Sequence, residues 1–249
     1  MKYLLLSDVH GNIEALEAVL AAAAVNGHDA ILMLGDLVGY GADPNAVVDR
    51  MRVLKPMAMI RGNHDKVACG IEDPEGFNAI ARSAVHWTYE TLTAENRTFL
   101  ADLPRGPHLV DDLIEICHGS PFDEDAYVFD ELDALRGLRA ARRPVCLFGH
   151  THVPVIFQLS EQDDQLDVTM PGTEAETALA LQPGTRYLIN PGSIGQPRDG
   201  DPRAAYAIVD SDGKNVTLYR VAYPVELAQE KVIKAGLPEV LAHRLGIGR

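Results

Sequence analysis

The chain has only three cysteines in 249 residues, Cys69, Cys117 and Cys146. They are too few and too irregularly spaced for a disulfide framework or a Cys-x-x-Cys zinc site. Cys117 and Cys146 fall within apolar runs and read as small buried hydrophobes. Long hydrophobic runs are missing too: no stretch approaches the roughly 18 apolar residues of a membrane span. The opening Met1-Lys2-Tyr3-Leu4-Leu5-Leu6 stops at Ser7-Asp8, short of a secretory core, with no small-residue cleavage site after it. A cytoplasmic location with no membrane partner is expected. Positive charge is scarce, with 22 Lys and Arg against 36 Asp and Glu and a formal net charge of −14. Such a chain has no surplus cations to displace the counterions of a long nucleic acid, so that partner is not expected either.

A hydrophobic content of 47% is ample for a buried core. The first half alternates strand and helix signals. Tyr3 to Leu6, Ala30 to Leu34 and Pro56 to Ile60 read as short strands. Ile13 to Val25 reads as a helix on the spacing of Ile13, Leu16, Leu20 and Ala24, and Pro44 to Leu54 as a second, with Asp43 as N-cap and Pro44 in the first turn. This βαβαβ alternation implies a mostly parallel sheet with right-handed crossovers. Phe77 to Thr91 and Ala94 to Leu100 read as further helices, the latter capped by Thr93. Beyond Leu103 the texture turns to short β-like runs, at 109–117, 144–148, 153–159, 166–170, 186–189, 204–209 and 216–221, separated by polar or Gly/Pro turns. Glu131 to Ala141 interrupts as a helix, Leu166 to Leu181 is acidic and loop-like, and Pro224 to Leu245 returns to helix. With no repeat and no Ser/Gly-rich linker, residues 1–249 are expected to form one α/β domain, two sheets packed face to face with helices outside. Residues 196–249 would complete it.

Directly after the apolar runs come Asp8-Val9-His10, Gly35-Asp36, Gly62-Asn63-His64-Asp65, His118-Gly119 and Gly149-His150-Thr151-His152. Loops at the carboxyl ends of parallel strands are where an α/β sheet collects ligands, and Asp, Asn and His are what a pair of divalent metals needs. In an extended segment residues i and i+2 point to one side, so Asp8 and His10 are expected to reach one metal, and His150 and His152 repeat the spacing. Asp36 is placed to bridge, Asn63 offers an amide oxygen and His118 an imidazole. Mixed N/O ligation without thiolate suits manganese first, and iron, nickel, zinc or cobalt, better than calcium or an iron–sulfur cluster. Two such ions return about four positive charges locally, which lets an acidic chain hold a small phosphorylated substrate. His28, His86, His108 and His243 stand outside any cluster and read as structural or solvated.

The ordered pattern from Asp8-x-His10 to Gly149-His150-x-His152 resembles the calcineurin-like metallophosphoesterases, over about residues 3 to 195. The resemblance implies an αββα four-layer sandwich of two mixed sheets flanked by helices, with a dinuclear site. One metal would take Asp8, His10, Asp36 and His152, the other Asp36, Asn63, His118 and His150. A water bridging the ions would lose its proton and attack phosphorus in line while the pair clamps the phosphoryl oxygens. His64 would assist as general acid or stabilise developing charge, with Asp65 either orienting it or serving as a cap.

Protein Ser/Thr phosphatases and dinucleoside tetraphosphate hydrolases continue the second motif as Gly-Asp-x-x-Asp-Arg-Gly, where the Arg helps grip phosphate. Here the segment is Gly35-Asp36-Leu37-Val38-Gly39-Tyr40-Gly41, with neither that Asp nor that Arg, and the chain looks closer to the compact bacterial phosphodiesterase branch. The expected activity is hydrolysis of small phosphodiesters such as cyclic nucleotides or dinucleotides. A phosphomonoesterase or protein phosphatase of the same superfamily is the alternative activity. The alternative of another class is a non-catalytic interaction scaffold, as in a related retromer subunit, which lacks a histidine at the equivalent of His64. Around the site, Arg198 in the turn-rich Asn190-Pro191-Gly192-Ser193-Ile194-Gly195-Gln196-Pro197-Arg198-Asp199 stretch is a candidate phosphate contact. Tyr40 or Trp87 is a candidate for stacking on a base, and the Phe77-Asn78 and His86-Trp87 region is a candidate wall.

Overall fold

The computed structural model describes all 249 residues. Its first strand, β1 (Lys2–Leu6), shows why there are two cores. Alternate side chains of a strand leave opposite faces, so Tyr3 and Leu5 enter one cluster while Leu4 and Leu6 enter another. The chain continues through α1 (Ile13–Asn26), β2 (Ala30–Met33), α2 (Pro44–Leu54), β3 (Ala58–Met59), α3 (Asn63–Ala68), α4 (Ala79–Thr91) and α5 (Ala94–Ala101). Next come β4 (His108–Leu109), β5 (Ile114–Ile116), α6 (Glu131–Ala140), β6 (Val145–Leu147), β7 (Val155–Ser160), β8 (Leu166–Thr169), β9 (Glu176–Ala180) and β10 (Thr185–Asn190). The end is β11 (Ala204–Asp210), β12 (Asn215–Val221), α7 (Val225–Lys234) and α8 (Glu239–Ile247).

Two mixed sheets of six strands result, in the orders β3-β2-β1-β11-β12-β9 and β4-β5-β6-β10-β7-β8. In the first, β1, β2 and β3 run parallel, and β11 joins β1 antiparallel. In the second, β5, β6 and β10 run parallel. Tyr3, Leu5, Leu32 and Val209 of the first sheet meet Ile116, Leu147, Tyr187 and Ile189 of the second between the sheets. On the outer face of the first, Leu4, Leu6, Met33 and Ile208 pack against Leu16, Val19, Val48 and Met51 of α1 and α2. On the outer face of the second, Cys146, Phe148 and Leu188 pack under Ala134 and Leu138 of α6. These are the four αββα layers.

Several boundaries differ from the sequence reading, each for a local reason. The 109–117 run is split because Asp111 Oδ1 accepts from the N–H groups of Leu113 and Ile114, at 2.8 and 2.7 Å, turning β4 back on β5. The acidic stretch before Leu181 contains a strand, β9, whose half-exposed side chains carry no apolar alternation, and which pairs along β12. The C-terminal helix is two helices, because Gly236 has φ of 73° and Pro238 follows it. The buried stripe of α1 is Ala15, Leu16, Val19 and Ala23, offset from the expected spacing. Asp43 does precede α2, but its carboxylate takes Lys231 Nζ at 2.8 Å and caps no helix N–H, whereas Thr93 Oγ1 does accept from Asn96 N, at 3.2 Å. α4 begins two residues later than expected because Asn78 Oδ1 caps it, accepting from the N–H groups of Ile80 and Ala81 at 3.0 Å each. Phe77 is thereby left outside the helix. No helix is long and apolar enough to cross a membrane.

Candidate metal centre

The parallel strands of both sheets end at one edge, and the loops that leave β1, β2, β3, β5 and β6 converge there. The backbone at this edge is not extended. Asp8, His10, Asp36, Tyr40, His150 and His152 have φ between 50° and 67°, six of the nine non-glycine residues with positive φ in the chain. Left-handed backbone costs roughly 1–3 kcal/mol per residue where it is strained, although Asp and His tolerate it better than most. Hydrogen bonds between loops hold it. Asp8 N donates to Gly35 O at 3.1 Å, His10 N to Asp36 O at 3.0 Å, and Gly149 N to His118 O at 2.8 Å. The Asn190-Pro191-Gly192-Ser193 turn clamps the two ends of the constellation. Asn190 Nδ2 donates to Gly149 O at 2.7 Å, and Ser193 Oγ to Asp8 O at 2.8 Å.

The backbone at both i, i+2 pairs is left-handed rather than extended, yet Asp8 and His10 still reach one group, as expected. Two groups of potential donor atoms form, each within 4.8 Å: Asp8, His10, Asp36 and His152 in one, and Asp36, His118 and His150 in the other. His150 and His152 thus separate into different groups, contrary to the spacing argument, and Asp36 is common to both. Asn63 Oδ1 joins the second group, 3.2 Å from His118 Nε2.

The donor set fits cations. His10 Nδ1 donates to Val38 O at 3.0 Å and His152 Nδ1 to Gln196 O at 2.6 Å. With burial, reinforced by Arg198, holding both rings well below the usual histidine range, their Nε2 lone pairs face each other at 3.0 Å. Two lone pairs at that separation repel unless a positive charge lies against them. Asp36 Oδ2 is buried without a hydrogen bond, 3.5 Å from His10 Nε2 and 3.4 Å from His118 Nε2. Burial alone would raise the Asp36 carboxyl, but His118, His64 and His10 hold it well below its ordinary value. Burial likewise opposes charge on His118, yet Asp36 lifts it to about 10. The same charge that draws a proton to His118 would draw a cation to its Nε2, because Nδ1 already donates to Leu34 O at 2.9 Å. His150 Nε2 is committed to Asp125 O at 3.1 Å, which leaves its Nδ1 free to ligate.

Asp65 does not touch the His64 ring, which corrects the orienting role and leaves the capping one. Its carboxylate accepts from the N–H groups of Asp36 (2.8 Å), Leu37 (2.9 Å), Val38 (3.2 Å) and Gly62 (3.0 Å). One buried side chain therefore ties the Asp36 loop to the Asn63 loop. Asp65→Ala leaves four buried donors unpaired at roughly 1–3 kcal/mol each, so a loss of about 4 kcal/mol or more in unfolding free energy is expected. Urea denaturation measures it, and a loss below about 1 kcal/mol would contradict the clamp.

His64 is held instead by rings. Tyr40 lies 4.4 Å away between centroids, Phe77 4.6 Å and His10 4.9 Å. Its Nδ1 is buried without a partner, and burial pushes the imidazole down to about 4. The reason for this closeness is Gly39, with φ of 92°, where a Cβ would run into the His64 ring.

Arg198 enters from a remote turn. Its Nη2 lies 2.9 Å from Gln196 Oε1 and 3.4 Å from the Tyr40 hydroxyl. Of the cations around the site, Arg61 pairs with Glu124 at 3.1 Å, and buried Lys66 pairs with Asp125 at 2.6 Å and Glu72 at 2.8 Å. Arg198 has no carboxylate partner. A cleft of about 230 Å³ opens over Asn63, His64 and His150 and is walled by Tyr40, Phe77 and Tyr127. The sequence reading missed Tyr127, which stacks on His150 at 3.8 Å with no motif to announce it. Trp87 does not line the cleft; it packs, as Phe77 does, against the cluster that joins α4 to α7 and α8. His86, His108 and His243 are exposed, and His28 is half-buried beside Ala23 O, all away from the site.

Residues 1–214 match the profile of the calcineurin-like phosphoesterase superfamily domain. An uncharacterised protein of Methanocaldococcus jannaschii is 36% identical over 98% of this chain and 97% of its own. The phosphodiesterase YfcE of Escherichia coli K12 is 25% identical over 85% of this chain and 89% of its own. The crystal structure of a metallophosphoesterase from Sphaerobacter thermophilus superposes with a TM-score of 0.87 at 40% identity, covering 100% of this chain and 99% of that one. With the His/Asp groups at the ends of parallel strands, these matches lead to one conclusion: the chain belongs to the calcineurin-like phosphoesterase superfamily.

Proposed function

We propose that the protein, residues 1–249 acting as one unit, is a phosphodiesterase that works with two divalent ions, manganese first among them. Asp8, His10, Asp36 and His152 would hold one ion, and Asp36, Asn63, His118 and His150 the other. The observation that carries the reading is Asp36, shared by both groups with its Oδ2 unpaired. Such an ion pair supplies a nucleophilic oxygen at neutral pH and charge for the phosphoryl group. The residues supply the rest. Arg198, free of any carboxylate and braced by Tyr40, grips a phosphoryl oxygen. His64, whose imidazole burial keeps neutral despite nearby Asp36, donates a hydrogen bond to the departing oxygen. Asp65 fixes the loops so that these groups need not reorganise.

A diester is favoured over a monoester because Glu72 and Asp125, which share the single cation Lys66, line the cleft with a net negative charge, where a singly charged phosphate is better tolerated than a dianion. The name of the E. coli relative points the same way. After loading with manganese, kcat/KM on bis-p-nitrophenyl phosphate is expected to exceed that on p-nitrophenyl phosphate by about tenfold or more, a difference of about 1.4 kcal/mol. Preference for the monoester would overturn the diester reading, and no turnover of either by the fully loaded protein would overturn the enzymatic one.

A further inference from the structure

The two histidines that face the cleft each carry an aromatic ring on their outer side. Phe77 sits on His64, with centroids 4.6 Å apart, and Tyr127 lies almost flat on His150, at 3.8 Å and 23°. Phe129 stacks behind Tyr127 at 4.9 Å and 9°, which stiffens the wall. Both Tyr127 and Phe129 are exposed, at 42% and 69%. The ends of the cleft differ in charge. Arg198 stands at the Tyr40 side, while the cleft lining carries Glu72 and Asp125, and Asp125 leaves Oδ1 without a hydrogen bond. The one cation beside them, Lys66, is already taken by carboxylates.

Flat apolar walls next to a phosphate centre, with hydrogen-bond acceptors and no free cation beyond, suit a planar uncharged ring bearing N–H groups. They do not suit a sugar or a second phosphate. We infer that the cleft between Phe77 and Tyr127 is a nucleobase slot, so that the substrate is a nucleotide ester with a single phosphoryl group, its base held against Tyr127 and its amino edge toward Asp125 and Glu72. The inference rests on the phosphodiesterase reading above and narrows its substrate. Base–aromatic stacking tolerates different bases because each has a π-face, so the slot selects for a base more than for its identity.

Calorimetric titration of the manganese-loaded protein with adenosine 5′-monophosphate and with ribose 5-phosphate isolates the base, since both ligands carry the same phosphate. The quantity read is the ratio of the two affinities, which a general loosening of the site leaves alone. The nucleotide is expected to bind roughly tenfold more tightly, the contribution of one stacked base. The ratio should fall to about one in Tyr127→Leu, stay high in Tyr127→Phe, and drop partway in Phe77→Leu. A wild-type ratio near one, or a ratio that neither leucine variant moves, overturns the slot. A loaded protein that binds neither ligand and hydrolyses no phosphoester overturns the phosphodiesterase reading instead.

Discussion

Asp36→Asn is expected to lower kcat/KM by about three orders of magnitude or more, the scale of a several-kcal/mol loss of charge stabilisation at a two-metal site, and to empty both ion positions together. The substitution is nearly isosteric. Asp36 Oδ1 accepts the His64 N–H at 2.9 Å, and an asparagine oxygen can still do so. What changes is charge: the amide removes the one carboxylate common to both groups, whose Oδ2 has no other partner. A residue belonging to one group only, such as His150 or His152, should behave differently when replaced by alanine, and leave close to one equivalent bound. Metal content by elemental analysis after gel filtration separates these cases. An Asp36→Asn protein that retains two equivalents and normal turnover would remove Asp36 from its bridging position.

The second large effect belongs to His64 and to the glycine that makes room for it. His64→Ala should keep both metal equivalents and lose roughly 10²–10⁴-fold in kcat, the range of a positioned proton donor or acceptor. Gly39→Ala should imitate it. A methyl group there meets the His64 ring, and the backbone at φ of 92° resists any side chain, so the ring must leave its seat between Tyr40 and Phe77. The signature is a fall in kcat with metal content intact, shared by two substitutions 25 positions apart. If Gly39→Ala turned over normally, the tight seat for His64 would be unnecessary for catalysis. If His64→Ala also shed metal, the residue would have to be read as a ligand.

Much of this centre is legible in the sequence because its chemistry limits the residue types, and the fold puts them just after apolar strands. Asp8, His10, Asp36, Asn63, His118, His150 and His152 could be picked out by type and by place, and the two-sheet architecture by the change from alternating strands and helices to short strands. Asp8 and His10 fall in one group as their spacing suggested, but how His150 and His152 group was not legible from spacing. The i, i+2 rule assumes extended backbone, and the left-handed turns at His150 and His152 separate what that rule would join. The second motif taught a similar lesson. Gly39 and Tyr40 stand where the protein-phosphatase form of this motif would have Asp and Arg, yet a guanidinium reaches the Tyr40 hydroxyl from Arg198, 158 positions along the chain. A motif read in one dimension records which charge is missing from a segment and cannot record its delivery from another loop. Tyr127 was missed for the same reason, and β9 because an edge strand with half-exposed side chains has no periodicity to detect.

The chain has a single tryptophan, and its placement makes the molecule its own optical instrument. Trp87 shares a packed cluster with Tyr40 and Phe77, and those two rings touch His64. Excited at the red edge, where tyrosine is silent, its emission would report on the wall of the cleft without any label. Ligand entry that shifts Phe77 would then appear as a change in intensity on the millisecond scale of a stopped-flow trace, and occupancy could be followed separately from turnover.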